Sequence, residues 1–324
     1  MTTQDDYRPV VLVTGGTGLV GNGVRLALES EAGSKYRDFK FVYFGMHDCD
    51  LIDKQNTKQF FKKFSPKYVI HLAARVGGLF ANMKDNHGFL MDNLNMNINV
   101  LEAAFECGVK RLVCCLTTCI FPDSIDYPIS EDKLHLGPPH ESNYGYSYAK
   151  RMLEVMCRSY NEKFGTEFVT FAPTNVFGPF DNYNLKSAHV LPALIHKAYL
   201  AKKQNEALEV AGSGKPLRQF IYSVDLGKLV LWMLLEYKGT NTIIFSVPES
   251  EEMSIAQVAQ IVSEAMGLEA GIKITNKGAD GQYKKTVSTN KLHSLYPDFK
   301  FTPFKEAVQQ SCEWLSENYS MARI

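Results

Sequence analysis

Residues 142–150, "SNYGYSYAK", hold three tyrosines at alternate positions and end on a lysine. If a helix begins here, side chains four residues apart share a face, so Tyr146 can face Lys150 whereas Tyr144 and Tyr148 point away. A neighbouring ammonium favours the phenolate and lowers the pKa of a tyrosine. The spacing therefore singles out Tyr146 as a candidate proton donor. The alternative is an ordinary helix-face aromatic beside a lysine.

A glycine-rich loop, "TGGTGLVG" at residues 14–21, is the second chemical motif. It joins a predicted strand to a predicted helix, the context in which such loops bind dinucleotides. The first glycine permits a tight turn, the second admits a pyrophosphate to the backbone amides, and the third allows close packing, while the helix N-terminus favours the anion. A tight turn without a ligand is the alternative. The residues of the predicted dinucleotide site are Gly15, Gly16, Thr17, Gly18, Leu19, Val20 and Gly21.

The end of the second predicted strand bears on the choice between NAD and NADP. An acid at this tip would accept a hydrogen bond from the ribose 2′-OH, whereas a basic residue would meet a 2′-phosphate. The sequence "FGMHDCD" places Gly45 and Met46 at the tip. The missing acid favours NADP, although no arginine is present to support it. We expect Asp50 on the adenine side of the cofactor.

A third motif, "CLTTCIFPD" at residues 115–123, follows a predicted strand. Because the carboxyl ends of parallel strands share one edge of a sheet, Thr117 is expected to present its hydroxyl there, beside the nicotinamide. That hydroxyl could hydrogen-bond a substrate carbonyl. Cys119 belongs to the same segment, and its neighbours Cys114 and Cys115 suggest the alternative that it is one more buried thiol.

Alternating strands and helices must position these motifs. Strands are predicted at 10–16, 39–45, 68–74, 111–118 and 167–178, with helices between them, including one at 19–29. This alternation indicates an α/β fold of the Rossmann type, a doubly wound parallel sheet, followed by a smaller α/β C-terminal substrate lobe. The expected domains are a cofactor domain at 8–178, with 219–247 returning to it, and a substrate lobe at 179–218 and 248–324.

Composition excludes several function classes. The 324 residues carry 35 Lys and Arg against 35 Asp and Glu, so no global charge recruits nucleic acid or a membrane surface. The N-terminus has no apolar signal region, and the longest apolar runs are too short to cross a bilayer. Seven cysteines without a C-x-x-C pair indicate thiols in a reducing compartment, and no metal is implied. We therefore expect a cytoplasmic protein.

Together, Thr117, Tyr146 and Lys150 resemble the hydroxyl–Tyr–Lys set of short-chain dehydrogenases, and they follow the glycine loop in the right order. The chain resembles the extended branch of the short-chain dehydrogenase/reductase family along nearly its whole length. The residues that carry the resemblance are "HLAARVGG" (71–78), "TTCIFP" (117–122), "GYSYAK" (145–150), "PTNVFGPFDN" (173–182), "SAHVLPALIHK" (187–197) and "LRQFIYSVD" (217–225).

Within that family the resemblance is to the enzymes that epimerise and reduce GDP-4-keto-6-deoxy-D-mannose with NADPH. It implies that Cys119 and His189 exchange protons at C3 and C5, the carbons that flank the C4 ketone. It further implies that Thr117 and Tyr146 hydrogen-bond the C4 oxygen, which Tyr146 later protonates, and that Lys150 also reaches the nicotinamide ribose. The remaining cofactor residues implied by the resemblance are Pro173, Asn175, Val176 and His189.

The resemblance also assigns residues to the nucleotide and implies a homodimer. Lys197 and Arg218 would hold the diphosphate, with a solvated helix face and an interface ion pair as their alternatives. Asp280 would contact the nucleoside, unless it only forms an Asp-Gly turn. His189 could instead cap or pack against its helix. The helical segments 95–108 and 149–165 are candidates for a four-helix dimer interface.

Two residues depart from the family pattern. Relatives usually have serine at Thr117, so the extra methyl crowds the ketone. Relatives tend to have tryptophan where this chain has Ala211. This chain therefore lacks a large aromatic side chain on the substrate side, which bears on substrate affinity and on nucleotide identity.

Other readings of the chain remain open. A 4,6-dehydratase would need an acidic pair where Cys119 and Ile120 stand, and a simple 4-epimerase would not need Cys119 with His189. A non-catalytic NADP(H)-sensing protein commonly lacks the Tyr–Lys pair that this chain retains. A serine hydrolase is disfavoured, because no G-x-S-x-G elbow occurs.

Overall fold

Six parallel strands form the main sheet of the computed structural model, which describes residues 7–277 and 282–324. Shorter strand pairs lie outside that sheet. The strands are β1 (Val10–Thr14), β2 (Lys40–Phe44), β3 (Tyr68–His71), β4 (Arg111–Cys115), β5 (Phe168–Pro173), β6 (Asn175–Phe177), β7 (Leu208–Val210), β8 (Leu217–Arg218), β9 (Phe220–Tyr222), β10 (Ile243–Phe245), β11 (Met253–Ser254) and β12 (Ile272–Ile274).

Helices separate most of these strands along the chain. They are α1 (Leu19–Glu29), α2 (Lys54–Phe64), α3 (Leu79–Lys84), α4 (Asn86–Glu106), α5 (Tyr144–Phe164), α6 (Val190–Gln204), α7 (Ser223–Leu235), α8 (Ile255–Met266), α9 (Asn290–Leu295) and α10 (Phe304–Glu317). Within the described parts of the chain, no helix is long and apolar enough to span a bilayer.

The strand order of the main sheet is β10-β5-β4-β3-β1-β2, and every neighbouring pair is parallel. The chain passes from β1 to β2 at one edge and then returns across β1 to β3. This reversal creates a topological switch point at the carboxyl ends of β1 and β3, where ligands bind in such sheets. The fold is the Rossmann-type α/β architecture expected from the sequence.

Both faces of the sheet are covered, which is why its strands are apolar without strict alternation. Successive side chains of β1 point to opposite faces. Leu12 packs in a cluster with Val100 of α4 and Leu153 of α5. Val13 packs in a second cluster with Leu229 of α7. The sheet therefore lies between an α4–α5 layer and an α1–α7 layer.

The helices α1 and α7 are in backbone contact at two glycines. A Cβ atom on Gly23 would collide with the carbonyl oxygen of Ser223, and one on Gly227 would collide with the carbonyl oxygen of Gly23. Since α7 leads into β10, which pairs with β5, residues from the second half of the chain complete the first-half sheet.

A third apolar cluster lies outside the main sheet. It joins side chains of α6, α8 and α10, among them Leu194, Val258 and Val308, to the short strands β7 and β9. β7 pairs with β12, β8 with β11, and β6 with β9. Because β6 follows β5 directly, the β6–β9 pair lies at the carboxyl edge of the main sheet.

Each of the five predicted strands extends beyond the carboxyl end of the strand in the structure, and two of these differences have a local cause. The strand predicted at 111–118 ends at Cys115, because the Thr117 hydroxyl accepts a hydrogen bond from the Cys119 amide and a short 3₁₀ turn follows at Thr118–Ile120. The strand predicted at 167–178 is two strands, since the chain leaves the main sheet after Pro173 and pairs with β9. The helix predicted at 19–29 has those bounds in α1.

Candidate active site

The glycine loop lies at the switch point of the sheet and is tight on its inner side. Gly15 has φ +63°, and a Cβ there would lie 2.8 Å from the backbone nitrogen of Ala73, just beyond β3. A Cβ on Gly21 would lie 2.6 Å from the backbone of Gly16. At Gly18, a Cβ would approach only the Gly15 oxygen, at 3.2 Å, among the described atoms. The loop is thus packed against β3 on one side and open at Gly18.

The start of α1 fits an anionic group. Gly18 caps the helix without a side-chain hydrogen bond, and no acidic residue lies in the first turn. The first amides of a helix have no intrahelical acceptor, and they carry partial positive charge. Open backbone at Gly18 beside these amides is the arrangement that a pyrophosphate requires. The residues present therefore fit the dinucleotide expected from the sequence.

The acids after β2 are engaged by their own loop. The Asp48 carboxylate accepts a hydrogen bond from the Gly45 amide at 2.9 Å, and Asp50 accepts one from the Ile52 amide at 2.9 Å. A Cβ on Gly45 would lie 2.8 Å from the Thr17 hydroxyl, so the tip packs on the glycine loop. Asp48 thus holds the turn, and the tip itself carries no acid, as the sequence suggested for NADP.

A buried histidine connects this region to helix α5. Thr14, the last residue of β1, accepts hydrogen bonds from the amides of Leu72 and Ala73 at 3.1 and 3.0 Å. Its own hydroxyl hydrogen therefore points to Nδ1 of His71, 2.8 Å away. Nδ1 accepts, so the proton of the neutral imidazole is on Nε2.

The imidazole continues this network toward the tyrosine helix. Nε2 of His71 donates to Oδ1 of Asn97 at 3.1 Å, and the Asn97 amide nitrogen donates to the Ala149 carbonyl of α5 at 3.3 Å. Burial and the nearby charge of Lys150 lower the pKa of His71 to about 3. The ring is therefore neutral at physiological pH, and it fixes α5 relative to β1.

Helix α5 begins two residues before the candidate tyrosine. Its start is held by α4, because the Gly145 amide donates to Oδ1 of Asn86 at 2.9 Å. Tyr146 is half-buried, whereas Lys150, one turn later, is only 1% exposed. The Lys150 ammonium donates to the Cys115 carbonyl at the end of β4, at 2.8 Å. The lysine therefore ties α5 to the strand end that leads to Thr117.

The expected effect of Lys150 on Tyr146 is wrong for this structure. Burial raises the pKa of Tyr146 far above its ordinary value, and the neighbouring Cys115 and Cys119 raise it further. Burial likewise lowers the pKa of Lys150. The reason is that the lysine ammonium is directed to the Cys115 carbonyl. A phenol with a raised pKa keeps its proton at neutral pH, which suits a proton donor.

Cys119 lies on the 3₁₀ turn that follows β4, close to Tyr146. Burial would raise the pKa of its thiol, but the positive charge of Lys285 and hydrogen bonds from Thr117 and Asn143 together lower it below the ordinary value. The Asn143 side chain also has an oxygen, Oδ1, that is buried without a partner among the described residues. Cys119 is therefore in surroundings that favour a thiolate.

His189 stands immediately before α6. Its side chain is exposed, yet desolvation by the surrounding protein lowers its pKa. Across the described residues, no hydrogen bond or charge interaction joins His189 to Cys119. The structure therefore does not bring the predicted Cys119–His189 pair into direct contact, and the pairing stays a prediction.

The predicted nucleotide residues are spread over the second half of the chain. Arg218 on β8 is half-buried; burial lowers the pKa of its guanidinium, while Glu252 and Tyr127 oppose that shift. Its Nη1 donates to the carbonyl of Leu217 at 2.7 Å. Lys197 is half-buried on α6, and Ala211 is exposed just after β7. Asp280 lies outside the described residues.

The remaining cofactor residues follow β5. Pro173 ends that strand, and Asn175 and Val176 belong to β6, next to it at the carboxyl edge. The Asn175 amide donates to the carbonyl of Gln219 at 2.9 Å, which attaches β6 to β9. These positions lie at the correct edge for a nicotinamide site.

Sequence reasoning missed three polar residues that shape this site. Asn143 stands three residues before Tyr146 in the quoted motif, at the position that caps α5, and its residue type is typical of caps. His71 and Asn97 gave no local signal, because a polar residue in an apolar strand or on a buried helix face finds its partner only through tertiary contacts.

Comparison with known proteins identifies the class to which this fold and site belong. Residues 11–247 match the NAD dependent epimerase/dehydratase family. Since this match spans most of the chain, the chain belongs to that family.

Full-length relatives narrow the assignment. The GDP-L-fucose synthase of Dictyostelium discoideum is 49% identical over 321 residues, which cover 99% of each chain. A probable GDP-L-fucose synthase of Drosophila melanogaster is 44% identical over 97% of this chain and 99% of its own. A GDP-L-fucose synthetase from Naegleria fowleri bound to NADP is 45% identical, with a TM-score of 0.91 over 100% of this chain and 98% of its own. The chain is a member of the GDP-L-fucose synthase family.

Proposed function

We propose that this protein converts GDP-4-keto-6-deoxy-D-mannose to GDP-L-fucose by epimerisation at C3 and C5 and NADPH-dependent reduction at C4. The observation that carries the proposal is the meeting of Cys119 and Tyr146 at the carboxyl edge of the sheet, where Cys119 raises the pKa of Tyr146 and its own pKa is lowered. An epimerising reductase needs both a group that exchanges carbon-bound protons and a group that protonates the C4 oxygen. Full-length similarity to GDP-L-fucose synthases supports the substrate.

NADPH would be held by the glycine loop, by Lys150 and by the residues that follow β5, and when bound it supplies the hydride for C4. The open backbone at Gly18 and the uncapped start of α1 support the pyrophosphate position. Asp50 lies after β2, as a contact on the adenine side would require. Pro173, Asn175, Val176 and His189 would border the nicotinamide.

Cys119 would remove the protons at C3 and C5. These protons are acidic because the C4 ketone accepts the electron pair of the broken C–H bond as an enolate. The thiolate of Cys119 takes the proton on one face and becomes a thiol. His189, neutral at physiological pH because its pKa is lowered, would return a proton on the opposite face after receiving one from solvent. The exposure of His189 supports this exchange with water.

Thr117 and Tyr146 would bind the C4 oxygen in both stages. Their hydroxyl groups stabilise the negative charge of the enolate, and Tyr146 gives its proton to that oxygen during reduction. The raised pKa of Tyr146 supports the role of acid. Lys150 holds the strand end at Cys115 and keeps α5 in place.

The GDP portion would lie in the second lobe, residues 179–218 and 248–324, against the cofactor domain of 8–178 and 219–247. Lys197 and Arg218 would hold the diphosphate, since a half-buried guanidinium is suited to an anionic partner. Ala211 would border the sugar nucleotide. Asp280, outside the described residues, is proposed as the nucleoside contact.

We infer that the protein is a homodimer in the cytoplasm. Exposed apolar side chains on α4 and α5, among them Ile98, Phe105, Met152 and Phe164, support a helical interface. None of the seven cysteines forms a disulfide bond, which agrees with a reducing compartment. Light scattering of the purified protein, which should give twice the chain mass, tests the dimer, and cell fractionation tests the compartment.

The direct test is incubation with GDP-4-keto-6-deoxy-D-mannose and NADPH in deuterated water. Loss of NADPH absorbance and formation of GDP-L-fucose labelled at C3 and C5 are expected. Cys119→Ser should suppress deuterium entry while NADPH binding persists, and Tyr146→Phe should abolish reduction while deuterium exchange is retained in part. Reduction without any label at C3 or C5 in the wild type would reject the epimerase half of the proposal.

A further inference from the structure

A segment from the second half of the chain, residues 282–288, runs along the loop that carries Cys119. It is attached near both of its ends. The side chain of Gln282 donates to the carboxylate of Asp123 at 2.7 Å. Val287 forms a bridge with Ile129, whose amide donates to the carbonyl of Thr286 at 2.9 Å. Since Asp123 and Ile129 both belong to the chain just after Cys119, these contacts fix the middle of the segment near the thiol.

Neighbouring side chains of this segment have different partners. Lys284 and Thr286 point to one side, where Nζ of Lys284 lies 3.1 Å from Oε1 of Glu249 and the Thr286 hydroxyl donates to Glu252 at 2.6 Å. Val287 points to the other side, into the apolar cluster that contains Ile120 and Ile129. Lys285 forms no ion pair with either glutamate among the described residues, and its charge acts instead on the thiol of Cys119.

The charge of Lys285 reaches the sulfur. Lys285 is half-buried, and the positive charge of its ammonium lowers the pKa of the Cys119 thiol. Within residues 7–277 and 282–324, no carboxylate forms an ion pair with it. The other groups that face Cys119 are Thr117 on its own turn, Asn143 before α5, and the phenol of Tyr146, all of them neutral at physiological pH. Lys285 is therefore the charged group among those described around this sulfur.

We propose that Lys285 is a positioning residue for the epimerisation step, and that its ammonium, carried by the second lobe, keeps Cys119 in the thiolate form that removes the sugar protons. The inference rests on the proposed function only in taking Cys119 as the base. It assigns a task to the second lobe beyond holding the nucleotide. A displacement of segment 282–288 would weaken the base, so proton removal depends on the lobe being in place.

The test measures the ionisation of Cys119 without substrate. The rate of alkylation by iodoacetamide is followed as a function of pH, with peptide mass spectrometry reading the label at residue 119, because only the thiolate reacts. For Lys285→Met, we expect the rate at pH 7 to fall about fivefold and the profile to shift to higher pH, since an opposite charge is removed. Lys285→Arg keeps the charge and should restore the wild-type profile.

Lys284→Met is the matched control, because that lysine is the sequence neighbour and faces Glu249. Its alkylation profile should equal that of the wild type. Profiles for Lys285→Met that match the wild type, or an equal shift in Lys284→Met, would overturn the inference. So would weaker binding of GDP by Lys285→Met with an unchanged thiol profile, which would make Lys285 a diphosphate ligand. If Lys285→Met does not fold, Lys285→Gln is measured in the same way.

The assay separates this inference from the proposed function. Alkylation needs neither the sugar nucleotide nor NADPH. If the alkylation profile shifts in Lys285→Met but the protein does not form GDP-L-fucose, only the substrate assignment is rejected. With active enzyme, the pH profile of deuterium entry at C3 and C5 should move to higher pH in Lys285→Met by the same amount as the alkylation profile.

Discussion

Acidification should destabilise this protein through one buried imidazole. His71 is fully buried with a pKa of about 3, against about 6.5 for an unperturbed histidine. In the unfolded chain the ring takes up a proton as the pH falls below about 6.5, but in the folded protein it remains neutral until about pH 3. The stabilising contribution is therefore complete above the higher value and is lost as the pH falls between the two.

The expected loss follows from these two values. Between pH 7 and pH 5, the unfolded histidine changes from mostly neutral to almost fully protonated, while the folded one does not titrate. Linkage then gives a decrease of about 2 kcal/mol in the free energy of unfolding from this residue alone. The decrease comes on top of what other groups contribute, so it must be isolated by a variant that has no ring.

His71→Asn supplies that comparison. Asparagine presents an oxygen where Nδ1 accepts from Thr14, but it cannot titrate. Urea unfolding of both proteins at pH 7 and pH 5 gives four free energies, and the wild type should lose about 2 kcal/mol more than the variant. Equal losses in the two proteins would refute the reasoning, because they would mean that His71 titrates in the folded protein as it does in the unfolded chain. The variant should also be less stable at pH 7, since Asn97 loses its donor.

Two further predictions concern close backbone contacts. Gly227→Ala should lower the free energy of unfolding by about 1–3 kcal/mol, because the new methyl group collides with the Gly23 carbonyl. Thermal unfolding measures the loss, and an unchanged melting temperature would contradict this packing. Gly145→Ala should place a methyl group against the Asn86 carbonyl and shift the first turn of α5. Reduction should therefore slow by about 100-fold while NADPH binding persists. A normal rate of reduction would show that Tyr146 tolerates the shift.

Much of the fold could be predicted because its signals are local. The helix at 19–29 follows from its glycine start and apolar period, and the parallel sheet follows from alternation of strands with helices. The position of Thr117 and Cys119 at the carboxyl edge of the sheet follows as well, since both come directly after β4. These inferences need only the order of elements along the chain.

The electrostatics of the site could not be predicted in the same way. The spacing of Tyr146 and Lys150 indicated a lowered tyrosine pKa, but burial raises it, and burial is a property of the whole fold. Lys150 donates its hydrogen bond to the backbone carbonyl of Cys115, and a backbone acceptor cannot be predicted from residue type. Lys285 lies in an irregular segment beside a second lysine, and only its tertiary contacts show which of the two faces the thiol.

The glycine contact between α1 and α7 joins two positions 204 apart in the sequence into one steric unit. Neither helix can acquire a side chain at that crossing unless the other retreats, so a substitution at either glycine perturbs both helices. Attempts to re-engineer cofactor preference by exchanging the first βα unit with that of another enzyme therefore have to bring the matching α7 with it. A chimera that receives a new phosphate loop and α1 without the matching α7 would have poor packing where the two helices cross.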